Sequence, residues 1–252
     1  MLNHIIHGAP SAHPPLIIAH GLFGSARNWG VIARRLSDTR QVIAVDMRNH
    51  GDSFWHASHS YLDMADDLAK VIGIFGGRAD IVGHSMGGKA AMVLGLQNPH
   101  CVNRLVVADI APVAYTHTQL HYIHAMQAVD LSRVEKRADA SAQLSQYVQD
   151  ATLQSFFTQS LDLHARRWKL NLDVLADQMQ NILGFPDIAS HFDGSVLMLT
   201  GGQSDYVLPN HRANIRALFP HARFAKLKAA GHWLHAEEPR AFEASVRTFL
   251  SI

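Results

Sequence analysis

A serine stands between two glycines at Gly83-His84-Ser85-Met86-Gly87, directly after the apolar pair Ile81-Val82. This pattern suits a nucleophile held on a very tight strand-to-helix turn. Such a turn strains the backbone and pushes the hydroxyl out at the sheet edge. Side chains at positions 83 and 87 would collide there with neighbouring backbone. The helix that begins at the turn aims free N–H groups at the same point, which favours developing negative charge.

A serine hydroxyl is a poor nucleophile near neutral pH. It needs a base, and the base needs a third group to orient it. Gly231-His232-Trp233 offers a late histidine on a loop between the last strand and the closing helix, so His232 is the expected base. Hydrolases with this elbow follow the chain order serine, acid, histidine. Of the carboxylates between Ser85 and His232, two lie just after expected strands. Asp109 ends the strand after the nucleophile helix, and Asp205 closes Gly202-Gln203-Ser204-Asp205 after the next-to-last strand. Both strand ends point to one sheet edge, so the residues alone leave the choice open. The aspartate not used would cap a helix or bind loop amides.

An oxyanion must be met by backbone N–H groups. Met86, which follows the nucleophile, supplies one. The glycine-rich loop His20-Gly21-Leu22-Phe23-Gly24-Ser25 supplies the other, through Leu22. Phe23, Tyr206 and Trp233 are expected to line a substrate pocket, with Trp29 and Tyr115 close by in sequence. His117, His121 and His124 would share one helical face, but no carboxylate stands at ligand spacing beside them. They read as a polar surface or an entrance lining, and no metal or cofactor is expected.

These groups need a rigid frame. Short apolar runs alternate with helical patterns, as in a parallel sheet with crossover helices. Strands are expected at Leu2 to His7, Leu16 to Ala19, Val42 to Val45, Ile81-Val82, Leu105 to Ala108, Val196 to Leu199 and Ala222 to Leu227. Helices are expected near Trp29 to Leu36, Leu62 to Phe75, Ser85 to Leu96 and Pro239 to Leu250, the last with proline in its first turn. Between Pro112 and Asp193 the strand signal nearly vanishes, and helical stretches appear at Leu120 to Ala128, Ala140 to Val148 and Leu172 to Ile182. A structureless loop of that length is implausible. The expected division is a core of 1–111 and 194–252, with a helical cap inserted over 112–193.

The 252 residues, 48% of them hydrophobic, suffice for one α/β domain with an insertion. A net charge of +1 without a basic run gives no reason to expect a nucleic-acid partner. Eighteen histidines make the charge sensitive to mild acid. The single cysteine, Cys101, excludes an intrachain disulfide. The N-terminus lacks the basic and long apolar stretches of a signal peptide, and no apolar run could span a bilayer. A cytoplasmic protein, monomeric or weakly dimeric, is expected.

Five segments then carry a resemblance. His20 to Ser25, Asp46-Met47-Arg48-Asn49-His50-Gly51-Asp52-Ser53, Gly83 to Ala90, Asp109-Ile110-Ala111-Pro112-Val113 and Ala230 to Glu237 stand in the order seen in the α/β-hydrolase superfamily. Their wording is most similar to the YbfF-type bacterial esterases, with the cap matching least clearly. The resemblance implies a serine carboxylesterase or thioesterase acting on small acyl esters without a cofactor. It favours Asp109 as the acid and gives Asp46 and Arg48 a structural role. Carbon–carbon bond hydrolysis or perhydrolysis with the same triad is the alternative chemistry. A ligand-binding homologue without turnover is the non-enzymatic alternative.

Overall fold

The computed structural model describes residues 1–251. In chain order its elements are β1 (His4–His7), β2 (Leu16–Ala19), α1 (Gly30–Leu36), β3 (Val42–Val45), α2 (Tyr61–Ile74), β4 (Ala79–His84), α3 (Met86–Gln97) and β5 (Val102–Ala108). There follow α4 (Leu120–Gln127), α5 (Arg137–Leu144), α6 (Ala151–Thr158), β6 (Leu161–Asp162), β7 (Arg167–Trp168), α7 (Leu172–Asp177) and α8 (Met179–Leu183). The chain closes with β8 (Ser195–Gly201), α9 (Arg212–Leu218), β9 (Ala222–Leu227), α10 (Leu234–Glu237) and α11 (Pro239–Leu250).

Seven strands form one sheet in the order β1-β3-β2-β4-β5-β8-β9. All pairings are parallel except β1 against β3, where His4 faces Val45 and His7 faces Val42. The central strands are buried on both faces, which is why they read as unbroken apolar runs. Successive side chains still alternate between two cores. Ile17, Ile43, Ile81 and Leu105 pack on one face against α2 and α3. Leu16, Ile18, Val42 and Val82 pack on the other against α1 and α11.

The helices follow from their spacing. In α2 the buried residues Tyr61, Met64, Ala65, Leu68, Val71 and Ile72 recur every three or four positions, and the Ser60 hydroxyl caps the first turn by accepting the Asp63 N–H. α3 is buried all round from Met86 to Leu96, and its glycines and alanines let it lie close on the sheet.

Between β5 and β8 the chain builds a helical layer with its own core, including Ile123, Met126, Leu144, Phe157 and Leu175. This region differs in detail from the sequence reading. β6 and β7 form a hairpin of two residues each, too short to leave a periodic signal. Helix α6 begins after Asp150, whose carboxylate accepts the Thr152 N–H at 2.7 Å. The stretch Leu172 to Ile182 breaks at Gln178 into α7 and α8. Phe23 of the core belongs to the same apolar cluster as the cap, so the cap rests on the loop that follows β2.

The strand order turns around between β2 and β4. Chain connections leave these neighbours in opposite directions, and the crevice beyond their carboxyl ends is the usual ligand position in such sheets. The glycine-rich loop follows β2 and Ser85 follows β4.

Candidate active site

Ser85 joins β4 to α3 with φ 51° and ψ −118°, a conformation that costs a non-glycine residue about 1–3 kcal/mol. Its N–H donates to Ala108 O at 3.0 Å, and its carbonyl accepts the Lys89 N–H at 3.0 Å. The flanking glycines are required by close approach. A Cβ on Gly83 would lie 2.4 Å from Gly87 O, and one on Gly87 would lie 2.4 Å from Ala19 O.

His232 Nε2 lies 3.2 Å from Ser85 Oγ, and His232 Nδ1 lies 2.8 Å from Asp109 Oδ2. A carboxylate only accepts, so Nδ1 carries the proton and Nε2 is free to take one from the serine. Asp109 is buried and itself sits at φ 53°. Its Oδ1 accepts the Gly201 N–H at 2.9 Å, and its Oδ2 also accepts the Ser204 hydroxyl.

The structure does not bring Asp205 to His232. With Ser204 turned inward to Asp109, the next side chain faces solvent and is exposed. The segment that offered a second acid thus supplies a hydroxyl to the first. Sequence reasoning passed over Ser204, although it stands beside the aspartate that drew attention.

The loop carrying His232 is clamped from both sides. The Glu237 carboxylate accepts the N–H groups of Gly231 at 2.6 Å and Trp233 at 3.1 Å. His84 Nε2–H donates to the His232 carbonyl at 2.8 Å. Neither role was read from the sequence. Glu237 closes α10 six residues after Gly231, which is the signal that could have found it. Tyr206 stacks on the His232 ring at 3.8 Å and 15°, and burial pushes its phenol up to about 12. It faces the His232 imidazole as well as the cavity.

The loop after β2 makes a tight turn closed by Gly24 N–H donating to Gly21 O at 3.0 Å, with Phe23 at φ 65°. A Cβ on Gly21 would lie 3.2 Å from Ser85 Cβ, so the turn lies directly over Ser85. Leu22 and Met86 border the same cavity as Ser85. Three buried imidazoles stand behind them. His20 accepts the Met47 N–H at 2.9 Å and donates to Gly21 O at 2.7 Å. His50 accepts the Phe23 N–H at 3.2 Å and donates to Arg48 O at 2.9 Å. His59 accepts from Asn49 Nδ2 at 3.2 Å, which leaves its Nε2–H for the Met86 sulfur at 3.4 Å. Burial lowers the pKa of all three, that of His50 well below the free value and that of His59 to about 3. Asp46 and Arg48 frame this loop. Asp46 accepts the Ala26 N–H at 2.7 Å, and Arg48 pairs with Asp67 at 2.6 Å.

A cavity of about 320 Å³ opens over Ser85, between the core and the cap. Phe23, Tyr206 and Trp233 all line it, with Tyr122, Phe156 and Phe157 from the cap side. Phe23 meets Phe157 edge-on at 5.5 Å. The three spaced histidines do not converge. His117 precedes α4 and borders the cavity, while His121 lies on Tyr122 at 3.9 Å. Among the described residues no group of His, Cys, Asp and Glu is arranged to hold a metal ion.

A serine on a strained elbow, an oriented imidazole, a buried carboxylate and free N–H groups are the parts of an acyl-transfer site. A family model described as the alpha/beta hydrolase fold matches residues 14–239. The chain belongs to the α/β-hydrolase family. This hydrolase is 41% identical over 252 residues to the sn-1-specific diacylglycerol lipase ABHD11 of Mus musculus, covering 94% of its own length and 81% of the relative's. It is 38% identical over 240 residues to the esterase YbfF of Escherichia coli, covering 94% and 93%. The solved structure of a marine microorganism esterase matches it with a TM-score of 0.93 and 36% identity, over 98% of both chains. No helix among the described residues of the hydrolase is long and apolar enough to cross a membrane.

Proposed function

We propose that this hydrolase cleaves carboxylic esters of small acyl groups through an acyl-enzyme on Ser85. Kinship with esterases and a lipase supports ester hydrolysis as the reaction class. The observation that carries the residue assignment is the chain of contacts Ser85 Oγ, His232, Asp109, at 3.2 and 2.8 Å.

In this reading Ser85 attacks the ester carbonyl while His232 Nε2 takes the hydroxyl proton. The Leu22 and Met86 N–H groups receive the oxyanion. Asp109 fixes the imidazole tautomer and stabilises the imidazolium that forms. His232 then protonates the departing alcohol. Water, deprotonated by His232, attacks the acyl-enzyme and releases the acid and the free serine. The aromatic wall of the cavity takes the acyl chain, and the cap keeps bulk water from it. A thioester places a better leaving group on the same carbonyl and uses the same parts.

Ser85→Ala tests the reading. The expected result is loss of p-nitrophenyl ester turnover by several orders of magnitude, on the order of the 10⁶-fold precedent for such nucleophiles. Esterase activity unchanged in a folded Ser85→Ala protein contradicts it. Labelling of the wild type by a fluorophosphonate, absent in the variant, is expected alongside.

A further inference from the structure

Lys89 is the only charged residue of α3, and it is 1% exposed. It stands four residues after Ser85, and its backbone N–H is the donor to the Ser85 carbonyl. Its ammonium meets carbonyls rather than a carboxylate. It donates to Leu183 O at 2.8 Å and Gly184 O at 2.6 Å. The rings of Tyr115 and Tyr61 lie beside it, with centroids at 4.7 and 5.5 Å. Burying an ammonium is costly, and here burial lowers its pKa from 10.5 to about 7. Methionine would fill similar space without that cost. What the position keeps by holding lysine is a set of donors.

The acceptors explain the need. Ile182 to Gly184 end α8, where the chain leaves the cap, and carbonyls at a helix end lack intrahelical partners. The Tyr61 hydroxyl of α2 donates to Ile182 O at 2.6 Å, and the Tyr115 N–H donates to Leu183 O at 3.0 Å. Three consecutive carbonyls are therefore held by donors from α2, α3 and the segment after β5. Ile182 and Leu183 line the catalytic cavity.

We propose that Lys89 is a positioning residue that latches the returning end of the cap onto the nucleophile helix and fixes the Ile182–Leu183 wall limiting acyl length. The proposal rests on the reading of Ser85 as the nucleophile of ester hydrolysis. With the latch released, the wall retreats and longer chains fit.

The test compares the wild type, Lys89→Met, Lys89→Arg and Tyr61→Phe on p-nitrophenyl esters from acetate to decanoate. The measured quantity is the ratio of kcat/KM for long against short esters, which does not depend on the folded fraction. Lys89→Met is expected to raise that ratio about tenfold, the discrimination one methylene of pocket space carries. Tyr61→Phe is expected to raise it about threefold, the weight of one neutral hydrogen bond. Lys89→Arg, which keeps donors, should stay nearer the wild type. Amide hydrogen exchange at Tyr115 should quicken in Lys89→Met.

An unchanged ratio in folded variants overturns the latch. If Lys89→Met does not fold, Tyr61→Phe decides by the same criterion. If the wild type hydrolyses no ester, the Ser85 reading fails separately. The latch then stands or falls on exchange at Tyr115 in the variants.

Discussion

Ser85 is placed by what its neighbours lack. Gly87 faces the Ala19 and His20 carbonyls so closely that an added Cβ would lie 2.4 and 2.5 Å from them. Gly87→Ala is therefore expected to destabilise the fold by about 1–3 kcal/mol, the usual cost of overpacking, and to cut turnover further by moving the elbow. Urea unfolding and ester hydrolysis on the same preparation check both. Ser85, His232 and the glycines stood out in the sequence because each residue type there answers a steric or chemical need. For the acid, the residues alone left Asp109 and Asp205 open, since both follow strands ending at one edge, and only the resemblance favoured Asp109. What separates them is the direction of Ser204, a rotation about one backbone segment that no pattern of residue types encodes.

At the scale of elements, the loop after β9 carries His232, and α10 holds the loop through Glu237. Glu237→Gln keeps the shape of the side chain but loses the charge that two N–H groups address. The expected outcome is a fall in kcat of about tenfold to a hundredfold from misplacement of His232, with the protein still folded by circular dichroism. Unchanged kcat would mean that His84 at the His232 carbonyl and Asp109 at the ring hold this residue by themselves. The core strands were legible because burial on both faces leaves unbroken apolar runs. The cap was legible only as helical. Its two-residue hairpin and the break at Gln178 are too short to leave a local periodicity, although Leu161, Trp168, Leu175 and Met179 around them join one apolar cluster.

For the whole molecule, buried neutral histidines make stability depend on pH. His20, His50, His59, His84 and His235 all have pKa values lowered by burial, with His59 and His235 at about 3 against 6.5 for a free side chain. Between those values the unfolded chain binds protons that the folded chain refuses. Stability therefore rises with pH across this window and is lost as pH falls from about 6.5 toward 3, with His59 and His235 each adding up to about 1.4 kcal/mol per pH unit. Tm measured from pH 8 to pH 4 is expected to drop steeply below about 6.5; a flat profile contradicts neutral burial. The abundance of histidine was visible in composition, but its gathering behind Leu22 and Met86 was not, since His20, His50 and His59 meet only once β2 and β3 pair. The account as a whole turns on the contact between His232 and Asp109. The direct test is kcat/KM for a p-nitrophenyl ester in the wild type, Asp109→Asn and Asp205→Asn. The account predicts a fall on the order of 10⁴-fold for Asp109→Asn alone, with Asp205→Asn close to the wild type. Collapse in Asp205→Asn, with Asp109→Asn active and folded, would contradict it.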